Sequence, residues 1–256
     1  MVHTSRSYRS DDRSGKATAS WSAFILCVLV IGSPLAVRAG PSGGEKIVRE
    51  VIEAYGGRGA LSGVETLSLE GRITAFFPPD AGTYSLKLKR DGKLRVDIAY
   101  SGTQERRILK GGRGYSGAGT SAAEVQGMAV SAMVYQYDQM DLPFGLAGGT
   151  FTVRVLRRGM FRGRSVEVVE VRDRKGKKRM EADIDRTSHH IVRTAASFGM
   201  GGEQAVLSAE FGDFRKVHGV LLPFLITNYA GDIKISETRI EAYTINGTMS
   251  DEVFSP

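Results

Sequence analysis

From Leu67 onward, apolar and polar residues alternate with a period of two. Leu67, Leu69, Ile73, Ala75 and Phe77 share one face of an extended chain, and Ser68, Glu70, Arg72 and Thr74 share the other. Tyr84, Leu86 and Leu88 alternate with Ser85, Lys87 and Lys89, and Leu94, Val96, Ile98 and Tyr100 alternate with Lys93, Arg95 and Asp97. Strands read this way when only one side of an antiparallel sheet is dry. Asp91-Gly92 predicts a two-residue hairpin turn, because both residues tolerate positive φ. Weaker alternation predicts strands at 104–110 and 113–118. It resumes at 150–157, 164–172, 177–185, 190–198, 204–215, 219–229 and 233–245.

Two segments follow the helical period instead. Ile47, Val48, Val51, Ile52 and Tyr55 line one face, Ser42 and Glu45 have capping-box spacing, and Gly56-Gly57 stops the helix. From Ser121 to Asp141, a stripe of Val125, Met128, Ala129, Ala132, Met133 and Met140 predicts a second helix, ended by Leu142-Pro143. The total is about eleven or twelve strands and two helices, with no internal repeat. So many consecutive hairpins must curl, since twisted open sheets rarely stay flat beyond ~10 strands. The expected fold is mainly β: a single antiparallel barrel-like sheet with an N-terminal helix. A barrel of this size can enclose a ligand cavity, and the second helix would lie across its mouth as a lid. Methionine suits a lid because it repacks against varied apolar shapes. Ordinary core packing accounts for the same methionines.

The stretch "FGDFRKVHGVLLPFLITNY" (211–229) reads as a hairpin turning at Val217-His218-Gly219-Val220, followed by an uncharged run, Leu221 to Ile226. Pro223 in that run suits a rim or edge strand and not a central one. The residues expected to face a cavity are Leu94, Val96, Ile98, Met128, Met133, Leu222, Phe224 and Ile226.

The first 39 residues read as an export leader: Arg6, Arg9, Arg13 and Lys16 precede an apolar run from Trp21 to Ile31, and Ala36-Val37-Arg38-Ala39 supplies a cleavage site. Cleavage after Ala39 leaves one domain, 40–256, in the periplasm; retention as an anchor is the alternative. The single cysteine, Cys27, lies in the leader, so the exported domain has no disulfide. Of 35 Lys and Arg and 28 Asp and Glu, the leader holds five and two, which leaves the domain at +4. That charge does not point to nucleic acid.

Chemistry is sparse. His189 and His190 precede a strand as a hairpin shoulder; on an extended chain neighbouring side chains would point apart and not pair on a metal, and His218 sits in a turn. No cluster of Cys, His and carboxylates suggests a metal, the glycine doublets do not sit between a strand and a helix, and no nucleophile stands with a base. The expectation is no catalytic residue, no metal and no cofactor. Arg172, Arg174, Lys175, Lys177, Lys178 and Arg179 surround Gly176, which reads as a solvated turn or as a contact for anionic headgroups.

Three stretches carry a family resemblance: "IEAYGGRGALSGVETLSLEGRI" (52–73), "LKLKRDGKLRVDI" with "ILKGGRGYSG" (86–98 and 108–117), and "FRKVHGVLLPFLITNY" with "YTINGTMSDEVFSP" (214–229 and 243–256). In these the chain resembles the periplasmic lipoprotein carriers of the LolA/LolB type and the wider outer-membrane lipoprotein-sorting group. The resemblance implies an unclosed β-barrel of about eleven strands with a helical lid over an apolar cavity for acyl chains. It implies an acylated lipoprotein or a lipid as cargo, inner- and outer-membrane transport partners, and a monomer. The carriers' lid-closing arginine matches Arg90, while Asp91-Gly92 replaces their proline and Leu94 their aromatic residue. Arg90 therefore joins the candidate ligand-site residues. The functional expectation is a non-enzymatic periplasmic carrier. The alternative is a sensory or regulatory envelope domain of the same fold that binds a partner protein.

Overall fold

The computed structural model describes residues 43–119, 121–200 and 203–256. The leader, its cleavage site, Cys27 and the Ser42 cap lie outside them. The chain opens with α1 (Gly43–Ala54) and a second short helix, α2 (Gly57–Ser62), which the glycine-rich sequence did not announce. Six strands follow: β1 (Thr66–Phe76), β2 (Pro79–Lys89), β3 (Lys93–Tyr100), β4 (Gln104–Lys110), β5 (Arg113–Gly117) and β6 (Ala123–Val125). Helix α3 (Met128–Ala147) leads to seven more: β7 (Phe151–Phe161), β8 (Arg164–Asp173), β9 (Lys178–Asp185), β10 (Ile191–Met200), β11 (Glu203–Val217), β12 (Val220–Ala230) and β13 (Ile233–Ile245).

All thirteen strands form one antiparallel sheet in the order β6-β5-β4-β3-β2-β1-β13-β12-β11-β10-β9-β8-β7. The chain runs outward from β1 to one edge, crosses by α3 to the opposite edge, and returns through hairpins until β13 pairs with β1. The edges β6 and β7 do not pair, so the barrel stays unclosed. The sheet is curved around α3, because the helix touches β3, β4 and β5 on one side and β7, β9 and β10 on the other. Bulges at Glu70/Gly71, Val155/Arg157, Ile191/Arg193 and Asn228/Tyr229 add the local twist that such curvature needs.

Two expectations need correction. The lid helix does not span 121–141. Residues 123–125 form an edge strand, and the helix begins at Met128 and continues through Pro143 to Ala147. Proline removes one backbone hydrogen bond from a helix, yet Leu142 before it and Phe144 and Leu146 beyond it are buried, and their burial outweighs the loss. The Asp91-Gly92 turn has three residues and not two. Lys89 pairs with Lys93, and Gly92 takes φ 91°, a geometry that frees Arg90 from the ladder.

One core holds the concave face, α1, α2 and α3 together. The hairpin 211–229 closes one end of it. The Leu221 N–H donates to the Tyr55 carbonyl at 3.0 Å, and Gly56, at φ 120°, lies so close to Gly219 that a Cβ would sit 2.2 Å from its carbonyl oxygen. Pairing of β12 with β13 starts only at Leu225, so Pro223 lies where β12 is a local edge. The Tyr243 hydroxyl donates to the Pro223 carbonyl at 2.6 Å. On the opposite face, Val166, Val168 and Val192 form a small second cluster.

Candidate functional site

Helix α3 divides into two unlike halves. From Asp138 to Ala147 every residue is buried, whereas Met128 to Val134 alternates between exposed and half-buried positions apart from buried Met133. The buried half is pinned by charge. Arg90 Nε donates to Asp141 Oδ1 at 2.6 Å, its Nη1 donates to the Val64 carbonyl at 2.9 Å, and its guanidinium lies 5.6 Å from the centre of the Phe144 ring. One turn earlier, Arg179 Nε donates to Asp138 Oδ2 at 2.8 Å. At the helix C-terminus, Arg58 donates to the Ala147 carbonyl, and Arg174 donates to the carbonyls of Gly149 at 2.9 Å and Gly148 at 3.1 Å. Cations belong there, since the helix dipole leaves negative charge on its last carbonyls.

Burial dominates the titration of these carboxylates. It pushes Asp141 up to about 6, although the Arg90 charge and hydrogen bond pull it down. Asp138 is raised by the same desolvation, opposed by Arg179. Two members of the basic hairpin tip, Arg174 and Arg179, thus hold α3. Arg172 and Lys178 pair with Glu170 and Glu181.

The apolar sequence candidates, Met128 apart, share one core with this helix. Leu94, Val96 and Ile98 on β3, Leu222, Phe224 and Ile226 on β12, and Met133 on α3 are all buried and belong to the one core cluster. With α3 seated, these seven side chains pack against protein. Met128 stands apart, half-buried at the start of α3. It lines a cleft of about 730 Å³ with Val130, Val134 and Phe198. Arg90 sits in the β2–β3 loop and holds the helix from below.

A second, smaller recess lies between α3 and the sheet. Its volume is about 150 Å³, and its lining includes Tyr84, Arg107, Gln136, Gln139, Asn228 and Ser236. Here the dry face of the sheet turns polar. Gln136 Nε2 donates to the Tyr84 hydroxyl at 3.1 Å, and Arg107 Nη1 reaches Gln136 Oε1 at 3.5 Å. Burial pushes the Tyr84 hydroxyl up to about 12. Tyr135 lines both this recess and the large cleft. Its hydroxyl is 2.9 Å from Thr194 Oγ1 and its ring meets Phe198 edge-on, 6.2 Å between centroids.

Sequence reading missed Asp138, Asp141 and Arg107. Arg107 carried a signal: it is two residues from buried Leu109 and opposite Val96, which places an arginine on the dry face. Among the described residues, no three His, Cys, Asp or Glu side chains come together as a metal site. No described helix is long and apolar enough to cross a membrane, which says nothing about strands.

No family model matches the chain, and no curated protein sequence matches it. Solved structures do. A DUF1329 family protein from Desulfovibrio piger ATCC 29098 superposes with a TM-score of 0.54 at 10% identity, covering 83% of this chain and 97% of its own. A LolA superfamily protein from Nitrosomonas europaea gives 0.52 at 12% identity, over 83% and 97%. An outer-membrane lipoprotein-sorting protein domain from Vibrio parahaemolyticus gives 0.51 at 11% identity, over 82% and 94%. The chain has the LolA-like fold, with thirteen strands where about eleven were expected.

Proposed function

We propose that this protein is a periplasmic, non-enzymatic binding protein that carries molecules with acyl chains between its concave sheet and α3. The observation that carries the reading is the asymmetry of α3. The helix joins both open edges of the sheet, its C-terminal half is locked by Arg90, Arg179 and their buried carboxylates, and its N-terminal half borders a cleft walled by Met128, Val130 and Val134. A lid needs one fixed end and one that can lift. The void beneath the seated helix, about 150 Å³, is the size that holds a benzene-like group, so an acyl chain enters only when the N-terminal half moves. Leu94, Val96, Ile98, Leu222, Phe224 and Ile226 would then exchange packing within the core for contacts with the chain, Met133 would meet it from α3, and Met128 would line the entrance. Each methylene so buried contributes ~0.8 kcal/mol.

The test is uptake of a fluorescent fatty acid by delipidated protein, together with mass spectrometry of gently purified material for bound lipid. Saturable uptake or a co-purifying lipid supports the carrier; neither one sinks it. A second reading has one observation in its favour. With α3 seated, the concave side is already filled by the protein's own side chains, as suits an envelope domain that docks a partner protein. A stable lipid-free complex recovered from envelope extracts would favour that reading.

A further inference from the structure

Arg107 is out of place on the wall where it stands. It belongs to the concave face of β4, opposite Val96, which is fully buried, and two residues from buried Leu109. Its Nε is the one buried side-chain nitrogen or oxygen among the described residues that lacks a hydrogen-bond partner. The Glu105 carboxylate lies 2.9 Å away but outside hydrogen-bond geometry. Among the described residues, the rest of its guanidinium meets one acceptor, Gln136 Oε1, at the long distance of 3.5 Å. A guanidinium has five N–H donors in a rigid fork that suits a carboxylate or phosphate, and a buried donor left unmade in a native fold calls for an explanation.

The surroundings supply one. The recess that Arg107 lines is about 150 Å³ and holds no second cation. Its other polar groups, among them Tyr84, Gln139, Asn228 and Ser236, are neutral. Gln136, the weak acceptor, rides on α3, so lifting the helix removes it and leaves the guanidinium only the neighbouring Glu105 carboxylate on its own strand. Tyr135 is the partition between this recess and the cleft of about 730 Å³, whose walls include Met128, Val130, Val134 and Phe198. A polar seat and a cleft of mixed lining, apolar along Met128, Val130, Val134 and Phe198 and cationic at Lys177, Lys178 and Arg179, thus meet at one aromatic side chain.

We infer that Arg107 and the recess around it seat the small oxyanion head of a single-chain amphiphile, a carboxylate or a phosphate monoester, whose tail passes Tyr135 into the cleft. This deepens the carrier reading and rests on it. Arg107 takes the anion in place of Gln136 as α3 lifts, while Tyr84 and Asn228 offer further donors to the same head.

The experiment compares binding of dansyl-undecanoic acid with binding of its methyl ester to the purified protein and to Arg107→Gln. The wild-type protein should prefer the acid by about tenfold, which is about 1.4 kcal/mol, and Arg107→Gln should abolish the preference while the ester binds as before. Thermal unfolding of the variant, followed by circular dichroism, confirms that it folds. Displacement of the bound acid by palmitate and by a lysophosphatidic acid identifies which of the two heads fits the seat. Equal binding of acid and ester, or a preference that survives in Arg107→Gln, overturns the inference and leaves the carrier standing. Binding of neither probe, with no lipid co-purifying, overturns both.

Discussion

Arg90→Ala tests whether α3 is latched. The substitution removes a hydrogen bond between two charged groups at 2.6 Å, one to the Val64 carbonyl at 2.9 Å, and the stacking of the guanidinium on Phe144. Both hydrogen bonds come from the charged guanidinium and contribute ~1.5–3 kcal/mol each, and a cation over an aromatic face adds ~0.5–1. The sum, about 3.5–7 kcal/mol, overlaps the ~3–5 found when one member of a buried pair is deleted, which is the expected loss. Asp141 is only 4% exposed, so water cannot replace the lost partner cheaply. Part of the loss is the stranded carboxylate, and Asp141→Asn in the Arg90→Ala background should restore roughly 1–2 kcal/mol. Urea denaturation gives the stabilities. Hydrogen exchange across 128–147 should show the α3 amides losing protection more than those of β1 or β13. A cost under ~1 kcal/mol with α3 protection unchanged would refute the latch.

Three further outcomes follow from the same geometry. Asp141 is raised from 3.8 to about 6, so it holds its proton more tightly when folded. It therefore adds stability that is full below the unfolded value and is lost as pH rises through about 6. The protein should gain on Asp141→Asn by roughly 2 kcal/mol between pH 7 and pH 4 in thermal denaturation, and the opposite trend would mean that Arg90 outweighs burial. Gly56→Ala places a Cβ 2.2 Å from the Gly219 carbonyl oxygen at φ 120° and should cost about 2–4 kcal/mol through strain and overpacking; an unchanged melting temperature would show the two corners are not in contact. Leu94→Ala should cost about 2–5 kcal/mol, because Leu94 is 1% exposed beneath the seated helix, and a loss below ~1 kcal/mol would mean that α3 spends most of its time lifted.

Strands such as β2 were legible because one face is drier than the other: half-buried Ser85, Lys87 and Lys89 alternate with buried Tyr84, Leu86 and Leu88. Helix α3 was harder for the converse reason. From Asp138 to Ala147 it is buried on every side, so no amphipathic stripe marks its end, and Pro143 reads as a stop that tertiary packing overrides. Strand β6 has three residues, too few for a period to show. The apolar core beside α3 was legible, and the polar contacts that hold the helix were not. Asp141 and Arg90 lie 51 residues apart, and Asp138 and Arg179 lie 41 apart, separations at which sequence pattern carries no information. Arg90 entered through family likeness, and Arg107 was visible only as a break in alternation.

The route of the chain has a consequence for how the protein is made. β1 appears early and waits for β13, with Leu67 opposite Ile245, so the seam at the back of the sheet cannot form until nearly the whole chain has emerged. Pairings this distant are slow because the entropy of a long loop is lost before they give anything back. Until that seam shuts, two half-sheets with sticky inner surfaces are exposed in the company of other unfolded chains, and a holding chaperone would find its substrate at this stage. Pulse-labelled hydrogen exchange should find the β2–β3 hairpin protected before the β1–β13 seam, and the reverse order would contradict this sequence of events.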